Sequence, residues 1–383
     1  MKFLKIVSLI LALSVTIMSA PIFRHKVQAL DEKELKAPSA VLMDAATGKV
    51  LFEKDSHSVR PCASITKVMT LILVMEAIES GRLSYDEMIT ASAHAASMGG
   101  SDIWLEPGET MSVDDMIKAT IVASANDAAV ALAEAVCGTE EEFVNKMNEK
   151  AKSLGMKETV FKNCNGLDED GHVTSAYDVA VMSRELLKHK KILDYSGIWM
   201  DELRGGKTQL VNTNKLLKTY KGITGLKTGT TSQAGSCISA TAQRDGLHLI
   251  AVVLGCSGGK ERFSDAAKLL DCGFAGYMMY VPGIPDEASV TLPVISGMTD
   301  SVKTTVSKPE PVLLKKDSSV KVEPKVYLPS EVEAPISKGD VLGKLTFECA
   351  GNTIAEYPII SDEDVKEINF ADVSSLFFSG LSN

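Results

Sequence analysis

A serine followed three residues later by a lysine constrains this chain more than any other feature. Ser64 stands where a polar loop passes into the apolar run 68–78, and Lys67 follows it. If that run is a helix, Ser64 lies in its first turn and the spacing places Lys67 on the same face. Unpaired N–H groups in a first turn favour an oxyanion. The stretch therefore predicts an activated serine nucleophile with an amine beside it.

The same spacing also occurs at Ser318 and Lys321, inside a polar segment with no apolar run after it. The pair alone is therefore weak evidence for a nucleophile, and the rest of the chain has to supply its partners.

A second short motif contains Ser124 and Asn126 and lies between two predicted helices. The Ser124 hydroxyl can both donate and accept, so it can relay a proton to a leaving amine. The Asn126 amide can hold Lys67 and a substrate amide. A lysine serves as a base only when burial or another cation lowers its pKa, and Lys227 is a candidate for that second cation.

A third motif, residues 227–229, precedes a strand-rich segment. Lys227 and Thr228 present donors to a substrate carboxylate. Gly229 lets a substrate backbone pair closely with the strand edge. The backbone N–H groups of Ser64 and Thr230 are the predicted oxyanion hole.

Charge and the N-terminus limit the compartment and the partners. The formal net charge is −10, which excludes binding to nucleic acid or anionic lipid by bulk attraction.

Residues 1–29 begin with Lys2 and Lys5, continue with an apolar core over 6–18 and end in small residues. This pattern predicts a secretory signal peptide and an extracytoplasmic location. An uncleaved anchor helix is the alternative, although the apolar run is short for a membrane span.

The cysteines and histidines indicate neither a disulfide framework nor a metal site. The seven cysteines are odd in number and unclustered, and no histidine spacing typical of zinc ligands occurs. We expect no metal and no cofactor. Cys62 lies close before Ser64, but no histidine is placed by sequence to activate its thiol. His172, in an Asp-Gly-His loop, is interpreted as a structural residue rather than a catalytic one. His94 is a loop histidine with no partner visible in the sequence.

The order of predicted elements is typical of an α+β fold. Residues 40–43 and 49–52 form a predicted hairpin. A long helical segment follows, and strands at 237–243 and 247–254 flank the turn dipeptide Asp245-Gly246. Residues 30–282 are therefore predicted to form one domain, in which helices cover an antiparallel sheet.

The composition changes after residue 282. Alternating apolar and polar residues with Pro and Gly breaks over residues 286–360 predict a small all-β domain. Residues 362–383 have apolar residues at helical spacing, which fits a tail on a membrane surface or one docked on the protein.

The three motifs, in this order, resemble the set of β-lactamases and penicillin-binding proteins, with Ala125 where that set has aspartate. The hairpin at 44–51 and the loop at 165–178 extend the resemblance to the D-alanyl-D-alanine carboxypeptidases, low-molecular-mass penicillin-binding serine peptidases. It covers roughly residues 36–360. It implies a β-lactamase/transpeptidase-like domain, a β-rich C-terminal domain and a membrane-anchoring tail.

The resemblance implies that Ser64 is acylated and that the terminal D-alanine leaves peptidoglycan pentapeptide stems. β-Lactam antibiotics would acylate the same serine. Some members carry arginine where Thr213 stands, and many carry histidine or an aromatic residue where Thr230 stands. Lys227 and Thr228 would then contribute more to carboxylate binding.

Three alternatives stay open at this stage. A class A β-lactamase needs a glutamate that activates water; Glu158 is the nearest acid, but Lys162 stands where asparagine is expected, and the extra β domain argues against this class. A D,D-endopeptidase would use the same groups on a cross-link. A non-catalytic cell-wall-binding protein would not need the intact Ser64, Lys67 and Lys227.

Overall fold

The computed structural model describes residues 30–316, 321–369 and residue 371. Three parts of the chain considered above therefore lie outside the described residues. They are the predicted signal peptide over residues 1–29, Ser318 of the second serine–lysine pair, and the predicted tail from residue 372 onward.

The described strands form a central five-stranded sheet, a six-stranded C-terminal sheet and three two-stranded ribbons. In chain order they are β1 Ser39–Asp44, β2 Val50–Lys54, β3 Met88–Thr90, β4 Thr110–Ser112, β5 Met200–Leu203, β6 Thr208–Val211, β7 Ile223–Thr231, β8 Gly235–Arg244, β9 Leu247–Cys256, β10 Tyr277–Tyr280, β11 Thr291–Ile295, β12 Ser301–Val306, β13 Val312–Lys315, β14 Val322–Tyr327, β15 Val332–Glu333, β16 Val341–Cys349 and β17 Asn352–Ser361.

The described α-helices lie in the first domain. They are α1 Lys67–Glu79, α2 Ala93–Ala96, α3 Val113–Lys118, α4 Asn126–Cys137, α5 Glu140–Ser153, α6 Ala176–Leu186, α7 Ile192–Ser196, α8 Leu216–Thr219 and α9 Gly259–Gly276. Short 3-10 turns occupy Glu32–Glu34, Ala63–Thr66 and Asp286–Ala288, and a π turn occupies Ala119–Ala123.

The central sheet has the antiparallel order β2-β1-β9-β8-β7. Alternate residues of β9 face opposite sides, because side chains alternate along a strand. Ile250 and Val252 pack into the helical layer, whereas Leu249 and Ala251 pack against α9. The predicted α+β fold is confirmed, with the difference that helices cover both faces of the sheet. Burial on both faces explains the uninterrupted apolar run in β9.

Helix α1 lies at the centre of the helical layer. Every residue from Lys67 to Met75 is buried, so the helix is apolar nearly all round, as expected for a helix enclosed by neighbours. Strand β7 is at the edge of the central sheet. The start of α1 and the exposed edge of the sheet therefore meet on one side of the domain.

The C-terminal domain is all-β, as predicted, with the strand order β14-β16-β17-β12-β11-β15. The link to the first domain is held by the antiparallel pairing of β10 with β13. Residues 362–369 do not form the start of a helical tail. Val365 exchanges two backbone hydrogen bonds of 2.8 Å with Ile336 and is buried in the domain core.

Among the described helices, none combines the length and apolar composition needed to cross a membrane. All seven cysteines lie within the described residues, and none of them forms a disulfide there.

Helix α9 approaches the sheet so closely that a side chain at one glycine would collide with buried leucines. A Cβ on Gly273 would lie 2.5 Å from Leu249 Cδ1 and 2.9 Å from Leu42 Cδ2. We predict that Gly273→Ala destabilises the protein by about 1–3 kcal/mol, because either the two buried leucines must repack or the helix must move off the sheet. Urea denaturation measures this loss.

Gly276→Ala is the matched control in the same helix, since a Cβ on Gly276 would have no atom within 4 Å. It should be neutral or slightly stabilising. Equal stability of the two variants would contradict the packing argument.

Candidate active site

Ser64 lies in the 3-10 turn Ala63–Thr66, and α1 begins only at Lys67. This differs from the prediction that Ser64 belongs to the first turn of the α-helix. The turn starts with a left-handed residue, Ala63, at φ 52°. Such a backbone is unfavourable for alanine and persists only where the surroundings hold it. The Ser64 side chain remains half-buried rather than enclosed.

The Lys67 amine is completely buried and touches three neutral oxygen acceptors. Its Nζ lies 2.9 Å from Ser64 Oγ, 2.5 Å from Asn126 Oδ1 and 2.6 Å from the Asn165 carbonyl oxygen. Burial lowers the pKa of Lys67 to about 7, because removal from water penalises the charged form. The amine beside Ser64 can therefore be neutral near pH 7.

Ser124 and Asn126 come from the junction between the π turn and α4. Ser124 has a left-handed backbone, at φ 65°, which is another strained residue at this site. The Asn126 side chain donates to the Gly99 carbonyl at 2.5 Å, so its Oδ1 is oriented toward Lys67. The structure thus brings the first two sequence motifs together.

Lys227 is the second buried amine, with 1% of its surface exposed. Its Nζ donates to Ser124 Oγ at 2.8 Å and to the Thr228 carbonyl at 3.0 Å. Burial, and then the charges of Lys67 and Arg262, hold its pKa well below the ordinary value. The predicted second cation therefore contacts the predicted proton relay.

Strand β7 packs directly against the Ser64 turn. A Cβ on Gly229 would lie 2.5 Å from the Cys62 carbonyl oxygen and 3.1 Å from the Ser64 amide nitrogen. Glycine is therefore required for this close approach. Beside it, the Thr228 hydroxyl is buried and donates to Thr213 Oγ1 at 2.6 Å, so position 213 supplies a hydroxyl where some family members would place a cation.

Arg262 supports the end of β7, and the sequence did not single it out. Its Nη1 donates to the Gly229 carbonyl at 2.9 Å and to Thr230 Oγ1 at 2.7 Å. Thr230 itself is exposed. The guanidinium reaches the strand from α9, and no local sequence signal links these two segments.

The loop after residue 162 contributes a backbone group rather than a side chain. The Asn165 carbonyl accepts from Lys67. Gly166 has φ +86°, and a Cβ there would overlap the Ala63 carbonyl oxygen. The sequence marked this loop only by its resemblance to the family, because a carbonyl acceptor is available on any residue.

Other candidates weighed from the sequence have partners elsewhere. Cys62 is buried, which raises the pKa of its thiol to about 12 and makes it a poor nucleophile. The Glu158 carboxylate pairs with His57 at 3.5 Å and accepts from Ser175 at 3.3 Å. His94 pairs with a glutamate at 2.7 Å. Within the described ranges, no three His, Cys, Asp or Glu side chains are grouped so as to hold a metal.

The contact between Gly166 and the Ser64 turn can be tested. We predict that Gly166→Ala slows acylation of Ser64 by a fluorescent penicillin about 100-fold, because the added methyl group displaces the turn. Stopped-flow labelling measures the rate.

Gly155→Ala is the matched control. It has a similar backbone, at φ +76°, but a Cβ on Gly155 would have no atom within 4 Å. It carries the same backbone strain without the collision, so its labelling rate should stay near that of the unmodified protein. Equal rates in the two variants would show that the contact does not position Ser64.

Comparisons with known proteins bear on the family to which the chain belongs. A family model described as D-alanyl-D-alanine carboxypeptidase matches residues 26–258. A second, described as penicillin-binding protein 5, C-terminal domain, matches residues 285–367. The D-alanyl-D-alanine carboxypeptidase DacF of Bacillus subtilis (strain 168) is 44% identical over 339 residues, which cover 88% of this chain and 87% of that protein.

Two solved structures are similar to this chain over 88% and 63% of its length, respectively. Penicillin-binding protein 5 from Haemophilus influenzae superposes with a TM-score of 0.71 at 29% identity, over 88% of this chain and 100% of that one. Penicillin-binding protein D2 from Listeria monocytogenes, in its ampicillin-bound form, superposes with a TM-score of 0.55 at 35% identity. The match covers 63% of this chain and 98% of that one. The resemblance expected from the motifs is confirmed: the chain belongs to the D-alanyl-D-alanine carboxypeptidase family of serine peptidases.

Proposed function

We propose that this protein removes the terminal D-alanine from peptidoglycan pentapeptide stems through an acyl-enzyme on Ser64. The observation that carries the proposal is the contact of 2.9 Å between the buried Lys67 amine and the Ser64 hydroxyl. Since the pKa of Lys67 lies at about 7, a substantial fraction of the amine is neutral near pH 7 and can accept the serine proton.

In the acylation step, Ser64 Oγ attacks the carbonyl carbon between the last two D-alanines, and its proton passes to Lys67 Nζ. The N–H groups of Ser64 and Thr230 stabilise the oxyanion of the tetrahedral intermediate. The C–N bond then breaks, and the proton that Lys67 took from Ser64 passes through Ser124 Oγ to the departing amine of D-alanine, which leaves Lys67 neutral again. The hydrogen bond from Lys227 to Ser124 supports this relay.

In the deacylation step, water attacks the ester carbonyl carbon while Lys67 accepts its proton. The C–O bond to Ser64 breaks, and the serine oxygen recovers a proton from Lys67. A β-lactam opens by the same attack, but its leaving nitrogen stays attached to the acyl group. The retained group then hinders the approach of water to the ester, so the acyl-enzyme is hydrolysed slowly.

Substrate binding uses the exposed edge of β7. An extended peptide can pair with an edge strand through its backbone. Gly229 lets β7 approach the Ser64 turn closely, so a peptide paired with this edge would lie beside Ser64. Asn126 would hold the substrate amide. Lys227, Thr228 and Thr230 would turn from their present acceptors, Ser124, Thr213 and the Gly229 carbonyl, to bind the terminal carboxylate.

The alternatives are less well supported. A β-lactamase would need a carboxylate to activate water, and Glu158 is instead bonded to His57 and Ser175. A non-catalytic wall-binding role gives no reason to bury two amines beside a serine, since each burial is costly. An endopeptidase would use the same groups, so substrate comparison has to decide.

The compartment follows from the substrate and the N-terminus. Peptidoglycan lies outside the cytoplasmic membrane, and residues 1–29 have the composition of a secretory signal peptide. The protein would act in the cell wall or on the outer face of the membrane, with the apolar tail as a peripheral membrane contact. By trimming stems it would limit cross-linking and so affect wall biogenesis and cell shape.

Ser64→Ala tests the chemistry. We predict that the variant loses D-alanine release from a diacyl-D-Ala-D-Ala peptide by more than about 1000-fold, because the nucleophile is removed. Covalent labelling by a fluorescent penicillin should disappear as well. Released D-alanine and labelled protein are measured in parallel.

Ser318→Ala, at the second serine–lysine spacing, is the control and should retain both activities. Persistent labelling of Ser64→Ala would contradict the assignment of the nucleophile. Faster turnover of a cross-linked peptide dimer than of a pentapeptide would favour the endopeptidase.

Removing the tail tests the proposed location. We predict that a chain ending at residue 369 moves from the membrane fraction to the soluble extracytoplasmic fraction, because the apolar residues after 371 supply most of the lipid contact. Fractionation followed by penicillin labelling measures the distribution. An unchanged distribution, with the signal peptide kept in both chains, would show that the tail is not an anchor.

A further inference from the structure

One buried histidine close to the active site has no part in the chemistry described above. His172 is 4% exposed and follows the loop that supplies the Asn165 carbonyl to Lys67. Its ring packs edge-on against Phe161, with 5.8 Å between ring centroids. Both ring nitrogens have protein partners, so the ring is held in one orientation.

The partners define which ring nitrogen carries the proton. The backbone N–H of Lys162 donates to His172 Nδ1 at 3.1 Å. Because a backbone amide can only donate, Nδ1 is unprotonated. In the neutral ring the proton is then on Nε2, which lies 2.7 Å from Thr66 Oγ1 and donates to it.

The ring is neutral at the pH where the enzyme would work. Burial lowers the pKa of His172 to about 4, against the opposing effect of the Glu169 and Asp168 carboxylates on its own loop. On the other side of Thr66, the titratable neighbour is the Cys62 thiol, which stays protonated because burial raises its pKa to about 12.

Thr66 links the ring to the turn that carries the nucleophile. It is the last residue of the turn Ala63–Thr66 and directly precedes Lys67. Its hydroxyl also lies 3.6 Å from Cys62 Sγ, at the beginning of the same turn. The His172 ring therefore fixes the Thr66 hydroxyl, which connects the end of the turn to Cys62 at its start. Ser64 lies between these two residues.

We propose that His172 is a positioning residue: through Thr66 it holds the Ser64 turn against the loop that carries the Asn165 carbonyl. The contact of 2.9 Å between Ser64 Oγ and Lys67 Nζ depends on this link, because Lys67 Nζ binds the turn at Ser64 and the loop at the Asn165 carbonyl. The proposal rests on the acyl-enzyme function proposed for Ser64.

The link makes a prediction that simple loss of folding does not make. If the turn and loop separate, water reaches the Lys67 amine and its pKa rises toward the ordinary value. The acid limb of the pH–rate profile for acylation reports that pKa. A variant with fewer folded molecules would lower the amount of labelled protein at every pH, and would leave the rate per active site and the acid limb in place.

The experiment compares Thr66→Val, His172→Asn and His172→Gln. Valine keeps the shape of threonine without the hydroxyl. Asparagine can accept from the Lys162 amide but is too short to reach Thr66, whereas glutamine can place a donor near the Nε2 position. The rate of labelling by a fluorescent penicillin is measured from about pH 5.5 to about pH 9, per active site titrated.

We expect Thr66→Val and His172→Asn to slow acylation about tenfold or more near pH 7, with the acid limb moved up by about one pH unit. His172→Gln should stay within about threefold of the unmodified protein, since its donor is restored. The double variant Thr66→Val/His172→Asn should be no slower than either single variant, because both changes break one link.

His248→Gln is the matched control. His248 is also a histidine whose burial lowers its pKa to about 4, and its Nε2 lies 3.0 Å from Thr224 Oγ1, but it does not contact the Ser64 turn. Its rate and limb should be unchanged.

Unchanged rates in Thr66→Val and His172→Asn, or slower rates with an unmoved limb, would overturn the proposal. A His172→Gln variant as slow as His172→Asn would also overturn it. Failure of the proposed function would look different, since the unmodified protein itself would not be labelled.

Discussion

The active site depends on one buried amine that has no carboxylate partner. Lys67 Nζ contacts a hydroxyl, an amide oxygen and a backbone carbonyl, none of which carries a charge. A charge buried in this way costs several kcal/mol, so the amine is pushed toward its neutral form and becomes a base. A carboxylate in the same position would keep the amine charged. The neutrality of the acceptors is therefore as important as their geometry.

The fold meets this requirement by enclosing the start of α1 on all sides. The central sheet, the junction before α4 and the loop at 163–171 each cover part of Lys67, and each also supplies one contact to the site. Lys227, from the edge of the sheet, lies close enough that the charge of Lys67 lowers its pKa further. The charge of a protonated Lys67 thus opposes protonation of Lys227, and both amines lie beside β7, the edge strand of the central sheet.

The sequence predicted the parts of the site that reside in side chains at fixed spacing. Ser64 and Lys67 follow from a helical interval. The groups that it missed depend on tertiary contacts: the Asn165 carbonyl is chemically the same on any residue, and Arg262 reaches β7 only because α9 packs on the sheet. Ser64 was predicted in the first turn of the helix, and the structure gives that turn 3-10 geometry directly before α1. The left-handed backbone of Ala63, where the turn begins, could not be predicted, because it is imposed by its neighbours and not by alanine itself.

The binding of a substrate carboxylate follows a similar logic. With a threonine at position 213, the positive charge near the end of β7 comes from Arg262, whose Nη1 is bonded to Gly229 and Thr230. Lys227 cannot act as a full point charge there, since its pKa is held well below the ordinary value. A carboxylate at this edge would therefore be oriented by hydrogen bonds from hydroxyl groups. The positive charge near it would be that of the Arg262 guanidinium, which is bonded to one of those hydroxyls. That charge comes from α9, and Lys67 has only neutral oxygens as its hydrogen-bond partners.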